Sequence, residues 1–563
     1  MTQRTRVVCT LGRSQPGGPA AQDRPDYVAG LVMAGMDVAR INLSHARGAT
    51  DFLDGRAPDY ARERAAMQAV RSAAATAGPE RHVAILLDLQ GMKLRVSLPT
   101  ELRAAGLAYD TGAVLRMRLA LHPAPDELGC DASPRVAEAL RAAVAATGSV
   151  DVAFADGDPL LVCERVEDDV ALLRAVEPGR LLHRKGVTFR GVELPDEPPL
   201  PVRDRVDVAA LALPAILRGD ADFLALSFTR SVADVRALRA YCRTAVAWFR
   251  EGEPPAEESD RALFEALDRL SPGLRAEYAH GDARVRIVAK LETRAATRNL
   301  DGILAEAEAV MVARGDLGLA CRPEDVPWLQ KDIIHRARLL GRPAIVATQM
   351  LGSMEHLPEP TRAEAADVFN AVLDGADALM LSGETATGTR PHAALRTLRA
   401  IASAAEEWES KRRTGRGFHL NMLRQRVEAL RAAQQRTPGW VDVTDRLTLE
   451  AVRVAEGLSC DAIVAATRSG QTARHVARFD PLVPVVAIVP DERVARRLAL
   501  VGSVRAVVAP AATADEALEQ GIARAVRAGL LVDGARVLVV GAREDDPPGA
   551  TTALSIRRVR VQE

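Results

Sequence analysis

From Arg6 to Glu384 the chain keeps returning to one pattern, a short apolar run that breaks off in polar residues and is followed by a stretch with helical spacing. The runs are RVVCTLG (Arg6 to Gly12), DVARINLS (Asp37 to Ser44), VAILLDLQG (Val83 to Gly91), DFLALSFTR (Asp222 to Arg230), RIVAKLE (Arg286 to Glu292), AVMVARGD (Ala309 to Asp316), AIVATQM (Ala344 to Met350) and ALMLSGE (Ala378 to Glu384). Between most of them lie segments such as Pro323 to Leu340, where Val326, Ile333, Ile334 and Ala337 mark one helical face. Runs this short and this apolar read as strands buried on both sides. Alternating with helices, they predict an α/β fold built on a closed (β/α)₈ TIM barrel. In such a barrel the active site lies at the C-terminal strand ends, where this chain places its polar residues.

The pattern is interrupted twice. Between Gly91 and Pro201 short alternating runs appear, VLRMRLAL, VDVAFADG, LLVCERV and DVALLRAV, with turn-formers between them. They predict a small β-rich domain over 92–200, inserted between barrel parts at 1–91 and 201–402. Its role is a lid that excludes water or a passive decoration; Asp156 in FADGD and the basic turn His183 to Gly186 favour the lid. The second interruption, Arg243 to Ala283, carries EGEPPAEESD and then the helically spaced ALFEALDRL, a surface element with its own apolar stripe. After Ile401 a charged helical stretch leads to a C-terminal α/β domain over 403–563. Its strands are DAIVAAT, VPVVAIVP, RAVVAP, RVLVVGA and SIRRVRV (Ser555 to Val561).

Composition narrows the partners. Lys plus Arg (74) nearly cancels Asp plus Glu (75) over 563 residues, so bulk charge offers nothing to nucleic acid or an anionic membrane. No charge-free apolar stretch reaches spanning length, and the N-terminus lacks the pattern of a secretory signal. The six cysteines (Cys9, Cys130, Cys163, Cys242, Cys321, Cys460) form no CxxC pair or zinc spacing, which fits a reducing cytoplasm.

The chemistry gathers at the strand ends. Arg314 and Asp316 close one run, and along a strand they would lean to one side. Lys290 and Glu292 close the preceding run with the same spacing, and Arg40, Asn42 and Ser44 would share a face of the second. Each pair alone reads as part of a metal-and-phosphate site or as a structural ion bridge, and the balance leans only slightly to the site. Convergence of Asp88, Lys290, Glu292, Arg314, Asp316, Thr348, Ser382 and Glu384 on one mouth favours a site. Glu292 and Asp316 offer two hard oxygen ligands to Mg²⁺, and Lys290 and Arg314 offer positive charge to an anionic substrate.

These residues resemble one family, pyruvate kinase. The matching pieces are RVVCTLG, AGMDVARINLSH, ILLDLQGMKLRV, RKGV, FLALSFTRS, IVAKLE, VMVARGDLG, ATQMLGSM, PTRAEAADV and NAVLDGADALMLSGETATG, in the family's order through the whole barrel. The resemblance implies a glycolytic kinase that moves the phosphoryl group of phosphoenolpyruvate to ADP and protonates the enolate to pyruvate. It makes Glu292 and Asp316 the ligands of Mg²⁺, or of Mn²⁺ in its place. Ala313, Arg314, Gly315 and Thr348 would cradle the substrate, and Lys290 would neutralise the moving phosphoryl group. Arg40 would grip that phosphate, while Arg95, Lys185, Asn42 and His45 would lie on the nucleotide side. Thr348 and Ser382, oriented by Glu384, would relay the proton through water.

The resemblance also implies a monovalent-cation site near Asn42, Ser44, Asp88 and the Leu89 carbonyl. Lys93 stands where many members carry glutamate, so its ammonium is expected to replace K⁺; the bland alternative is a solvated lysine at the lid hinge. Met92 stands where proline is usual. The turn Thr467, Arg468, Ser469, Gly470, Gln471, Thr472 resembles the family's effector-phosphate loop, or else is an ordinary capping turn. The acidic run EDDPPGATT argues for a sugar monophosphate or AMP rather than a bisphosphate. A homotetramer is the family expectation. A lyase or aldolase on the same barrel, or a non-catalytic effector-binding protein, are the competing functions; the second would be expected to have lost Lys290, Glu292 or Asp316.

Overall fold

The computed structural model describes residues 4–12, 25–120, 128–132, 134–154, 160–183, 185–192, 200–414, 440–542 and 551–560. Asp156, Arg184 and all of EDDPPGATT before Thr551 lie outside the described residues.

All eight expected barrel strands form. They are Arg6–Leu11, Val38–Asn42, Ala84–Asp88, Phe223–Leu226, Ile287–Leu291, Ala309–Ala313, Ala344–Ala347 and Ala378–Leu381. Each pairs in parallel with its neighbour in sequence, and the last closes on the first, Arg6 opposite Ala378 and Cys9 opposite Leu381. The strands are buried on both faces, which is why they read as continuous apolar runs. One face points into the barrel, where Val8, Val38, Leu86, Val288, Met311, Ile345 and Met380 pack together. The other packs on the helices through Val7, Ile85, Leu224, Ile287, Val310 and Val346.

The segment 92–200 contains a seven-stranded mixed sheet with its own core around Met117, Leu140 and Phe154. One helix, Pro134–Thr147, covers that sheet, burying Val136, Ala137, Leu140 and Val144. In the other interruption a helix forms over Glu258–Leu270, and its Leu263, Phe264 and Leu267 join the barrel's outer core. Phe264 meets Tyr241 and Phe249, and Phe249 stacks on Tyr278.

The C-terminal sheet has five strands in the order Val504–Val508, Val485–Val489, Ala462–Ala466, Arg536–Gly541 and Ala553–Arg558, the last antiparallel. That last strand begins two residues before the expected Ser555. The domain sits beneath the N-terminal strand ends. Ala499 and Leu500 enter the same apolar cluster as the barrel interior and form its floor. Arg496 pairs with Asp222 at 2.9 Å, Arg6 donates to the Val501 carbonyl at 3.0 Å, and the Gly502 N–H donates to Asp377 at 3.0 Å.

Candidate active site

The opposite rim of the barrel carries the charged residues. Lys290, one residue before the end of its strand, is almost fully buried. Its Nζ lies 3.0 Å from Glu292 Oε1 and 3.4 Å from Asp88 Oδ1, and it donates to Ser227 Oγ at 2.8 Å. Asp88 is wholly buried and accepts from Arg40 Nε at 2.6 Å. Glu292 accepts from the Phe228 N–H at 2.7 Å. Three strands and the loop after a fourth therefore meet at one ammonium.

Burial by itself would push the Lys290 ammonium down, but Asp88 and Glu292 outweigh it and the net direction is up. Glu292 moves up too, through burial and the negative charge of Asp316, against the pull of Lys290. For Asp88 burial is overcome by Lys290 and Arg40, and it moves down. Lys290 is thus a fixed cation, and Glu292 and Asp316 are close enough to repel. Among the described residues no group of three or more His, Cys, Asp or Glu is gathered for a metal. Two carboxylates fit Mg²⁺, which fills its remaining positions with water and substrate oxygens.

The sixth strand departs from expectation. It stops at Ala313, and Arg314–Ala320 is a helix, so Arg314 and Asp316 do not share a strand face. The Arg314 guanidinium is committed to protein partners. It pairs with Asp367 at 2.7 Å and donates to the Thr348 and Gln349 carbonyls at 2.7 and 3.3 Å. It is no spare cation for a substrate; it clamps a turn in which Thr348 and Gln349 have φ of 70° and 53°. A β-branched residue held there marks stored strain, a common property of binding turns. Thr348 Oγ1 accepts from the Gly315 N–H at 2.8 Å and donates to the Ala347 carbonyl at 2.6 Å.

Ser382 and Glu384 follow the eighth strand. Glu384 is buried and accepts from two backbone N–H groups, Ser382 at 2.7 Å and Leu351 at 3.0 Å. It fixes two loops together. The Ser382 hydroxyl is buried without a hydrogen-bond partner in the described structure.

On the second strand the shared face ends early. The strand closes at Asn42, and Leu43–His45 is a 3₁₀ turn capped by Asn42 Oδ1 accepting from the Ser44 N–H at 3.1 Å. His45 is shifted down by burial and then by Arg95 and Arg40, which places these three groups in one neighbourhood. Lys93 follows the third strand into the inserted domain. Its Nζ pairs with Asp316 at 2.7 Å, crossing Gly186, where any Cβ would strike its Cε. Leu89's carbonyl accepts from Ser227 Oγ at 2.7 Å. Lys185 is bonded through its backbone, its carbonyl accepting from the Val96 N–H at 2.9 Å.

The effector-like turn leaves Ala462–Ala466 and enters Gln471–Ala477. Gly470, at φ 81°, donates its N–H to Thr467 Oγ1 at 3.1 Å, and Thr472 Oγ1 lies 3.1 Å from Thr551 Oγ1. Ser469 lines a small cleft against the barrel's lower rim, together with Arg286, Arg474 and Arg497. The Nε atoms of these three arginines are buried without partners in the described structure.

Two buried carboxylates, Asp204 and Asp207, belong to none of the motifs. Asp204 accepts from the Gly91 N–H at 3.0 Å, and Asp207 accepts from the Tyr60 hydroxyl at 2.5 Å. The signal was a carboxylate pair in PVRDRVDV, spaced to share a helical face beside apolar residues. Burial pushes Asp207 up to about 8. Its folded value lies above the unfolded value of about 4, so its contribution is present below that lower pH and is lost as pH rises through about 8. Burial also pushes Asp204 up to about 7, so both proteins lose stability between about pH 5 and pH 8.5, but Asp207→Asn is expected to lose less than the parent by on the order of a few kcal/mol. Denaturant unfolding at the two pH values checks this, and equal losses in both proteins would refute it.

The chain matches two family models, the pyruvate kinase barrel domain over residues 2–247 and 273–395 and the pyruvate kinase alpha/beta domain over 445–557. The unmatched 248–272 falls within the second interruption. The pyruvate kinase of Geobacillus stearothermophilus is 32% identical over 564 residues, covering 100% of this chain and 81% of the relative. That of Mycobacterium tuberculosis is 33% identical, covering 99% of both. A solved pyruvate kinase from Cryptosporidium parvum superposes with a TM-score of 0.76 at 25% identity, covering 99% of this chain and 96% of that one.

Proposed function

The chain belongs to the pyruvate kinase family, and from that premise we propose how its residues divide the transfer of a phosphoryl group from phosphoenolpyruvate to ADP. It is a phosphotransferase that yields pyruvate and ATP. Such a transfer depends mostly on positioning and charge neutralisation. The observation that carries the division of labour is the Lys290 ammonium held among Asp88, Glu292 and Ser227. Lys290 faces the charge that develops on the phosphoryl and enolate oxygens. When bound at Glu292 and Asp316, Mg²⁺ supplies the remaining neutralisation. Arg40, braced by Asp88, grips the phosphate, and the Gly315 peptide and Thr348 seat the carboxylate end. Arg95, Lys185, Asn42 and His45 serve the nucleotide.

The proton reaches the enolate through water beside Ser382. Thr348 is a poor source because its hydroxyl already donates to Ala347, while Ser382's buried hydroxyl is uncommitted. Glu384 orients the loop that holds it. A coupled assay for pyruvate from phosphoenolpyruvate and ADP tests the whole reading; no pyruvate with Mg²⁺ present would end it.

The enzyme needs no K⁺. Lys93 supports this, since its ammonium reaches the site mouth at Asp316. Adding KCl to a sodium buffer is expected to change the rate less than about twofold, and Lys93→Glu to restore stimulation of about tenfold or more, because it removes that fixed charge. Stimulation of the parent by K⁺ would refute it.

A sugar monophosphate or AMP binds at the Thr467, Ser469, Gly470 and Thr472 turn. The three arginines behind Ser469 favour an anion there: burial and then Arg342 and Arg286 push Arg474 down to about 10. Either ligand is expected to raise Tm by several degrees, as a ligand at about a hundred times its Kd would, and Arg474→Gln to lose most of that rise. No shift with either would refute the site. The assembly is a homotetramer, on the strength of the family, and light scattering in solution decides it. Among the described residues no helix is long and apolar enough to cross a membrane.

A further inference from the structure

The helical turn Val202–Asp207, where the chain returns from the inserted domain, makes two bonds that the transfer itself does not require. Asp204 is wholly buried. Its Oδ2 accepts from Gly91, the last barrel residue before the inserted domain, and its Oδ1 has no partner in the described structure. Gly91 has φ of 70° and presses on Ser227, so closely that a Cβ would lie 2.7 Å from Ser227 Cβ. Ser227 is the hydroxyl that receives Lys290. The Gly91 peptide is therefore pinned between the lysine's partner and a buried carboxylate. Lys93 follows two residues later and Arg95 four, and Arg95 bridges to Gly186 on the returning strand.

Three residues on, Asp207 holds the Tyr60 hydroxyl, and the Tyr60 ring lies against Gly48 at the start of the helix that follows Asn42 to His45. Arg203 bonds to Thr50 of that same helix. One helical turn thus ties the exit of the barrel into the lid to the loop that follows the neighbouring second strand.

We propose that Asp204 is a positioning residue for ADP, acting through the Gly91 peptide to set where Lys93 and Arg95 stand when the lid is closed. The inference rests on the reading of Arg95 as a nucleotide-side residue. Phosphoenolpyruvate depends on it much less, because Arg40, Gly315 and Thr348 belong to the barrel rim and make no bond to this turn. A carboxylate buried with one oxygen unused is costly to keep for packing alone, whereas a peptide N–H at a bend needs an acceptor of fixed position.

The test is steady-state kinetics with both substrates on the full chain. Asp204→Ala is expected to raise KM for ADP about tenfold or more while changing KM for phosphoenolpyruvate less than about threefold, with a smaller fall in kcat. Asp204→Asn keeps an acceptor for Gly91 and is expected to restore KM for ADP to within about threefold of the parent. Arg95→Met is the control for the underlying reading: an unchanged KM for ADP in that variant removes the nucleotide assignment itself. With that control raised, equal KM for ADP in Asp204→Ala and the parent, whatever happens to Tm, overturns the proposal. So does a failure of Asp204→Asn to recover. Where Asp204→Ala does not fold, hydrogen exchange of the Gly91 amide in Asp204→Asn and the parent, each with and without ADP, replaces it; protection that ADP does not increase in either protein counts against the inference.

Discussion

Lys290→Met is expected to lower kcat by roughly a thousandfold, the scale on which a preorganised charge acts in a closed site. KM for phosphoenolpyruvate is expected to change far less, because Arg40 and the Gly315 peptide remain. The variant also carries a folding penalty. Asp88 is 0% and Glu292 2% exposed, and removing the ammonium leaves both carboxylates buried without their shared cation.

 Asp88 keeps Arg40, and Glu292 keeps only the Phe228 N–H. Breaking a buried pair from one side costs about 3–5 kcal/mol, so Tm falls along with activity. Lys290→Arg keeps the charge but not the compact ammonium that fits between Asp88, Glu292 and Ser227, and is expected to recover stability more than rate. Full activity in Lys290→Met would remove the central assignment.

The second large effect is expected at Asp316. Asp316→Asn should raise the Mg²⁺ concentration for half-maximal rate about tenfold or more and lower kcat about a hundredfold, since one of two hard anionic ligands is gone. It also releases Lys93, whose ammonium loses its partner. The double variant Asp316→Asn with Lys93→Met separates the two contributions: a rate no lower than that of Asp316→Asn alone assigns the loss to the metal. Titration of Mn²⁺ into the parent and into Asp316→Asn, followed by magnetic resonance of the free ion, reads binding without turnover. Equal affinity in the two proteins would take Asp316 out of the metal site.

The barrel is legible because each of its strands is buried on both faces and must be apolar throughout, with polar residues confined to the ends. The cluster around Lys290 is legible for the same reason, since a lysine and a glutamate two apart at the close of such a run have few partners other than each other and a ligand. Arg314 was harder. A strand that turns into a helix without a spacer changes the side-chain period from two to 3.6 at one residue, and nothing in AVMVARGD marks which residue that is. The helix then sends Arg314 to Asp367 and leaves Asp316 to Lys93. Lys93 shows a second limit: its place depends on how the inserted domain meets the barrel, a relation between segments far apart in the chain. Asp204 and Asp207 carry no motif beyond their helical spacing among apolar residues, and their burial is what singles them out.

The floor that Ala499 and Leu500 lay under the barrel sets a timetable for synthesis. Arg6 is hydrogen-bonded to a carbonyl 495 residues further on, so a ribosome takes roughly 25 to 100 s to deliver it. Until then the Arg6 guanidinium has Asp37 but not the Val501 carbonyl, and the nascent barrel has an open apolar base. A message cut short between codons 384 and 499 therefore yields a chain with every proposed catalytic side chain and a barrel whose apolar base is uncovered.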